Sequence, residues 1–259
     1  MPVSAYIPCY NAGVTLREAV QSVLAQTRRP DETLVLDDGS TDGSLKTGGV
    51  RVVRLEFNQG RGAVRFRAMQ ETRFELVLGC DASLTLDRNF LAHALPWFDD
   101  DMVAAVFGWI KEAGPPTVAN RWRGRHLFRS DLLHTVSRDA ALASGCFVVR
   151  KSAVESVGGF DPTLRYGEDA DLGRRLRNAG YTVLFDPCLF ACSIAGNTVW
   201  EVLERYARWN TPHGMGIRDY LRQINYALKV MVAADLKAKD AGAACLSLLC
   251  PHYQYWTRR

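Results

Sequence analysis

The sequence has no apolar stretch approaching the roughly 20 residues that cross a bilayer; runs such as Met102–Ile110 stop far short of it. With a strand-like segment beginning almost at the first residue, the expectation is a chain without transmembrane helix, signal peptide or transit peptide. Lysine is scarce: six of the 32 basic residues, the rest being arginine. Arginine suits bidentate contact with phosphate, so at a net charge of +4 phosphorylated ligands, nucleic acid and an anionic membrane surface all stay open. Paired cysteine spacings are missing as well. The seven cysteines are scattered, mostly through apolar stretches, which points to reduced thiols and a cytoplasmic address. Cys188 with Cys192, and Cys245 with Cys250 and His252, lack the two short pairs of a structural zinc site. Internal repeats and low-complexity tracts are absent. What is there, 259 residues at 47% hydrophobic, suffices for a sizeable core in one α/β domain with appendages or in two domains.

The pattern along the chain is strand, helix, strand. Val3 to Ile7 reads as a short buried strand that Pro8 ends, since proline cannot donate to a central ladder. Apolar residues at helical spacing predict a helix over Val14 to Ala25, and a second strand, Thr33 to Leu36, runs into "DDGSTDGS". A strand at Val50 to Leu55, the loop "NQGRG", a helix from about Ala63 to Thr72 and a strand at Phe74 to Leu78 continue the alternation, which argues for an α/β layer architecture with ligand loops at the carboxyl ends of parallel strands. Periodicity fades between Lys111 and Ser130. A helix-like stretch, a strand at Cys146 to Arg150, an Arg-rich helix at Ala170 to Ala179 and a strand in "YTVLFDP" follow. After Asn197 the chain reads as helical and amphipathic.

Several segments carry polar chemistry. Asp37 to Ser44, "DDGSTDGS", reads equally as a polar turn or as a nucleotide contact, in which a strand-end carboxylate accepts from a base or ribose and Gly39 lets the backbone approach. "IPCYN", Ile7 to Asn11, ends the neighbouring strand, so Pro8, Tyr10 and Asp38 converge on one crevice. "LGCDASLTLDRNF" ends a strand in one carboxylate, Asp81, with Ser83 where a metal loop calls for a second acid. Glu168 and Asp169 open a helix; alone they also read as favourable charges in a first turn, balanced by Arg174 and Arg175. "RWRGRHLFRS", Arg121 to Ser130, reads as a partly solvated segment, a sugar-stacking wall or a contact for lipid phosphate.

"VSAYIPCYN", "SVLAQT", "LVLDDGSTDGS", "NQGRGAVR", "LGCDAS" and "GGFDPTLRYGEDADLGRRLRNAGY", with the closing strand, stand in the order and spacing of the family 2 glycosyltransferases, which this chain resembles over about Pro2 to Asn197. The resemblance implies an α/β fold of GT-A type: a Rossmann-like mixed, mainly parallel sheet flanked by helices. It implies a transferase domain over 1–197, with a nucleotide-sugar half to about 110 and an acceptor and catalytic half from about 111, followed by a helical extension over 198–259. It places the donor on Pro8, Tyr10, Asn11, Asp37, Asp38 and Asp81, with Asp38 foremost at the base and ribose. Arg61 and Arg65, assisted by helix N-terminal amides, would face the diphosphate. Asp169 becomes the general base beside Glu168, the product is inverted at the anomeric carbon, and Gly158 to Asp161, Gly145 and Arg150 fall on the acceptor side.

Three positions depart from the family pattern. Phe66 stands where members usually carry Asn. Ser83 stands at the last position of the Asp-x-Asp motif, which binds Mn²⁺ or Mg²⁺, and a neutral hydroxyl is a poor ligand for a hard cation. Cys192 or Ser193 stands where many members carry His. Either Asp81 and the diphosphate hold the cation by themselves, or positive side chains neutralise the leaving group, or the enzyme is crippled. The resemblance implies a nucleoside-diphosphate-sugar donor, a UDP-sugar first, and a saccharide, lipid-linked or protein acceptor. The usual setting is bacterial polysaccharide assembly in the cytoplasm or at the inner face of the membrane. No nucleic-acid fold signature is present. The C-terminal helices would rest on a membrane or pair with a second copy. The rival readings are a degenerate GT-A module that binds nucleotide or a partner without turnover and, more weakly, a nucleotidyltransferase, for which "IPCYNAG" lacks the Gly-rich basic signature.

Overall fold

The computed structural model describes residues 1–43, 49–130, 132, 134–210 and 214–258; Ser44, which closes the "DDGSTDGS" motif, lies outside them. The chain forms two compact units, Met1–Ile110 with Leu133–Ile194, and Lys111–Leu132 with Ala195–Arg259. Residues 111–132 thus group with the C-terminal helices rather than with the residues before 197.

Among the described residues the first unit is built on an eight-stranded sheet, in which β3 (Arg51–Arg54), β2 (Glu32–Asp37), β1 (Val3–Cys9), β4 (Leu76–Cys80), β7 (Cys146–Arg150), β6 (Val103–Glu112), β8 (Thr182–Ser193) and β5 (Leu84–Leu86) lie side by side in that order. β1, β2, β3 and β4 pair in parallel, so chain crossovers must link them. Helix α1 (Leu16–Leu24) follows β1, burying Leu16, Ala19, Val20 and Val23 in an i, i+3, i+4, i+7 stripe. Helix α2 (Arg61–Glu71) follows β3. Side chains alternate along β1: Val3, Ala5 and Ile7 join the core under α1, and Tyr6 joins the one under α2. That alternation turns the Tyr6 phenol toward α2.

Three expectations need correction. β1 continues through Pro8 to Cys9, because β1 meets β4 only over Val3–Tyr6 and Pro8 has a ladder partner on the β2 side alone, opposite Leu36; a missing N–H is tolerated where a strand has become an edge. The stretch before β7 is not helical: Ser137 instead exchanges backbone hydrogen bonds with Phe185 of β8, and the Ala140 amide donates to the Val183 carbonyl. Within the passage that lacks periodicity, helix α4 (Val118–His126) forms, capped by the Thr117 hydroxyl, which accepts from the Asn120 amide. Its buried side chains include Arg123 alongside Trp122, and a buried cation hides the apolar stripe from a hydropathy reading.

Short strand β5 (Leu84–Leu86) and β6 (Val103–Glu112) complete the sheet, with helices α3 (Phe90–Ala94), α5 (Lys151–Ser156) and α6 (Glu168–Asn178) around it. The second unit holds α4 with helices α7 (Val199–Asn210), α8 (Ile217–Tyr226), α9 (Ala233–Lys237) and α10 (Ala241–Thr257), α8 and α9 being joined by a π-helical segment, Ala227–Val232. Among the described residues no helix is long and apolar enough to cross a membrane.

Candidate active site

The parallel strands β1, β2 and β4 deliver their carboxyl ends to one edge of the sheet. β7 runs antiparallel to β4, with Cys146 opposite Cys80, so the residues that precede β7 arrive at the same edge: the Asp81 amide donates to the Gly145 carbonyl at 2.9 Å. The same antiparallel run carries Arg150 to the far end, opposite Leu76, about 13 Å away at the strand rise. There it donates to the Phe98 carbonyl at 2.9 Å, so Arg150 has a structural role at the opposite end of the strand from Asp81.

Arg65 is the centre of the edge. Its side chain is 1% exposed, and four of its five N–H donors are engaged: Nε to Glu168 Oε1 at 3.0 Å, Nη1 to the Tyr6 hydroxyl at 2.9 Å, and Nη2 to Asp81 Oδ1 at 2.8 Å and the Ser144 carbonyl at 2.9 Å. The Tyr6 and Phe147 rings lie within 5.9 Å of the guanidinium. Burial pushes the Tyr6 hydroxyl up to about 12 against the pull of Arg65, and burial likewise raises the Glu168 carboxyl, with Arg65 opposing. The expectation that Arg65 reaches a diphosphate does not fit this placement, since the guanidinium is spent on positioning Asp81 and Glu168.

Asp169 is half-buried. Its Oδ2 accepts from both the amide (3.1 Å) and the hydroxyl (3.0 Å) of Ser144, the residue whose carbonyl Arg65 holds. α6 starts at Glu168, so both acids lie in its first turn. The structure therefore brings Asp81, Glu168 and Asp169 together through Arg65 and Ser144. Sequence reading missed Tyr6 and Ser144. A hydroxyl-bearing ring inside an otherwise apolar strand was the only signal for Tyr6, and Ser144 has none.

The loops beside this cluster are held by the other candidate residues. Asp38 is 4% exposed, and its two oxygens accept from the amides of Gln59 (2.7 Å) and Gly60 (2.9 Å), clamping the "NQGRG" loop to the end of β2; burial raises its carboxyl and these two bonds oppose the rise. Asp37 Oδ1 accepts from the Ser40 amide at 3.0 Å, and Arg54 lies 3.3 Å from Oδ2. Between β2 and this loop, Gly39 has φ of +76°, and a Cβ there would meet Phe57 backbone at 2.9 Å. Asn11 takes the Thr41 amide on its Oδ1 at 2.9 Å and gives its own amide to the Ser40 hydroxyl at 2.9 Å. Pro8 is half-buried and Tyr10 is 51% exposed, its ring open to solvent.

Arg61, the first residue of α2, is exposed and makes no hydrogen bond or ion pair with the described residues. The amides around it are mostly committed: Gln59 and Gly60 to Asp38, and Gly62 to the Leu164 carbonyl at 2.9 Å. A phosphate would thus find the Arg61 side chain rather than a ring of helix-end amides. Phe66 packs in the core near Gly159, a purely apolar role. Gly158 to Asp161 form a turn that Arg175 ties down through the Gly159 carbonyl at 2.7 Å.

Of the arginines of Arg121–Ser130, Arg121, Arg123 and Arg125 are ion-paired within the second unit, Arg121 from an exposed position and the other two from buried or half-buried ones. Arg121 pairs with Asp240 (2.7 Å), Arg123 with Glu112 (2.7 Å) and Arg125 with Asp235 (2.6 Å), and the Trp122 indole donates to the Ser247 hydroxyl at 2.8 Å.

Comparison with known proteins decides the family. A family model described as glycosyl transferase family 2 matches residues 4–158, more than half of the chain. The chain belongs to the family 2 glycosyltransferases. It is 22% identical over 238 residues to poly-beta-1,6-N-acetyl-D-glucosamine synthase of Staphylococcus aureus (strain COL), covering 84% of this chain and 56% of that protein. The transferase thus spans little more than half the length of the synthases it matches. In fold it is similar to GalNAc-T7 crystallised with UDP, GalNAc and Mn²⁺ (TM-score 0.61, 19% identity, 95% of this chain and 54% of that one). It is also similar to residues 1–349 of S. aureus TarS (TM-score 0.57, 17% identity, 99% of this chain and 93% of that one). The fold is GT-A.

The segments that the family's metal motif would occupy offer poor donors in this transferase. β5 pairs with β8 so that Ser193 faces Leu84 and Cys192 faces Thr85, and the Ile194 amide donates to the Ser83 carbonyl at 3.1 Å; Ser83 and the Cys192–Ser193 pair are therefore neighbours close to Asp81. Ser83, Cys192 and Ser193 carry only hydroxyls and a thiol, poor donors for a hard cation, and one Asp81 oxygen is already on Arg65. Among the described residues no three His, Cys, Asp or Glu side chains cluster to hold an ion. This donor set does not fit a divalent cation held by the protein alone.

Proposed function

We propose that the chain transfers a sugar from a nucleoside-diphosphate donor to a saccharide hydroxyl with inversion, and that Asp169 is the general base. The observation that carries this reading is the Ser144 bridge: one residue fixes Asp169 through its amide and hydroxyl and fixes Arg65 through its carbonyl. Of the two acids, Glu168 is nearly inaccessible and bound to Arg65, whereas Asp169 keeps part of its surface open to solvent. Asp169 takes the acceptor hydroxyl's proton as oxygen attacks the anomeric carbon, and the bond to the diphosphate breaks on the opposite side. Exposed Arg61 meets the charge growing on the leaving group. Tyr10 offers an open ring for the base, and Asp81 offers its second oxygen to the donor's sugar or ribose. Asp37, Asp38 and Asn11 act by holding the donor loops in shape.

The likeness to poly-N-acetylglucosamine synthases favours UDP-N-acetylglucosamine as donor and a growing bacterial polysaccharide, rather than a lipid-linked or protein acceptor. The test is release of UDP from that donor in the presence of short β-linked N-acetylglucosamine oligomers. Asp169→Asn is expected to slow release by about 10²–10⁴-fold while UDP binding, read by thermal shift, persists. The alternative, a nucleotide-binding module without turnover, is favoured by the missing acid at Ser83; UDP binding by the wild type with no UDP release from any donor would establish it.

A further inference from the structure

The helical run from Ile217 to Lys237 carries an apolar stripe that its own unit leaves uncovered. α8 buries none of its residues. Ile217, Leu221, Ile224 and Leu228 recur at i, i+4, i+7 and i+11, on one side of the helix, and Ile217, Leu221 and Leu228 are 58%, 59% and 51% exposed. Arg218, Arg222 and Lys229, each one position later, form a second exposed stripe about 100° round the axis. Packing uses a different side: the Tyr220 ring lies 4.6 Å from Tyr255, its hydroxyl 2.8 Å from His252 Nδ1, and Ala227 and Met231 are buried. α10 adds exposed Leu248, Leu249 and Trp256.

The charge around the stripe decides what covers it. Lys237 and Lys239 are also exposed. Against these five cations the run offers one partly exposed acid, Asp219, which lies 3.5 Å from Arg222; Asp235 is buried in its own ion pairs. Two copies meeting through this face about a two-fold axis would set like charges against like. A bilayer interface with anionic headgroups complements both stripes at once: apolar residues enter the acyl boundary and the flanking cations meet phosphate. No described helix has the length and apolarity to span the bilayer, so the fitting geometry is a helix lying in the interface plane. We propose that α8 and the π segment after it dock the protein on an anionic membrane surface, with Ile217, Leu221 and Leu228 inserted and Arg218, Arg222 and Lys229 on the headgroups. This goes beyond the transferase reading and does not depend on turnover.

The experiment is co-sedimentation of the full chain, without donor, with phosphatidylcholine vesicles and with vesicles that also contain phosphatidylglycerol. The expected result is binding to the anionic vesicles at least tenfold tighter than to phosphatidylcholine and weakened by salt. Leu221→Gln with Leu228→Gln should cut it by a further tenfold or more, and Arg218→Gln with Arg222→Gln by about fivefold per cation. Both double variants change exposed side chains, and an unchanged melting temperature confirms the fold in each. Absence of binding to either vesicle, or equal binding to both, overturns the proposal. So does a dimer in solution that Leu221→Gln with Leu228→Gln dissolves, which would assign the face to a second copy. UDP release is not read at any step, so failure here leaves the transferase reading standing.

Discussion

Arg65 shows how a single side chain changes meaning between sequence and structure. In "NQGRGAVR" it is one of two arginines a helical turn apart, and nothing local tells the exposed Arg61 from the buried Arg65. Burial separates them, because Tyr6, Asp81, Ser144 and Glu168 converge on one guanidinium from four other segments. Breaking a buried ion pair leaves an uncompensated charge, so Arg65→Met is expected to lower stability by about 3–5 kcal/mol in urea denaturation. Arg65→Lys should recover little of it, because an ammonium cannot replace a fork that serves four acceptors. Arg61→Gln, an exposed change, should leave the urea midpoint unchanged and weaken donor binding. Equal destabilisation by both substitutions would contradict the roles assigned to them.

At the scale of elements, α2 and the "FDPTLRYGED" loop are fitted backbone to backbone. A Cβ on Gly62 would lie 2.1 Å from the Asp161 carbonyl oxygen and 2.5 Å from that of Leu164. Gly62→Ala should therefore force the loop off the helix, costing roughly 1–3 kcal/mol and lowering turnover through the displaced α6 entry, measured by melting and UDP release together. In the second unit α10 begins at Asp240, whose side chain accepts from Ala243 and pairs with Arg121 of α4. The Arg121 hydrogen bonds hold its carboxyl down at about 2, from an ordinary 3.8. A depressed acid contributes stability that is present above its unfolded value and lost as pH falls through its folded one. Asp240→Asn should thus melt below the wild type at pH 5, and the difference should shrink between about pH 4 and pH 2. β1 to β4, β7 and the start of β8 were legible as short apolar runs, and α1, α2 and α6 by helical spacing or charge pattern; β5 and β6 were not read as strands. α4 was not legible either, because Arg123 and its partners put charge inside the unit.

For the whole molecule, the donor set at Asp81, Ser83 and Cys192–Ser193 predicts how a nucleotide is held. In a thermal-shift panel of UDP, GDP, CDP and dTDP, stabilisation by the preferred nucleotide should persist in EDTA; stabilisation that appears only with Mn²⁺ or Mg²⁺ would show that Asp81 and the diphosphate make a working site without a second acid. The sequence by itself determined the family, the α/β class, the parallel strands with their ligand loops and the pairing of Glu168 with Asp169, since these depend on short-range patterns: apolar periodicity, turn residues and motif order. Only the tertiary structure decided that Arg65 is a buried organiser, that Arg150 stands at the opposite end of an antiparallel strand from Asp81, that Ser144 links Asp169 to Arg65, and that residues 111–132 join the C-terminal helices. Each of these turns on which distant segments share an edge and on which charges find partners inside, and neither is encoded in the spacing of neighbouring residues.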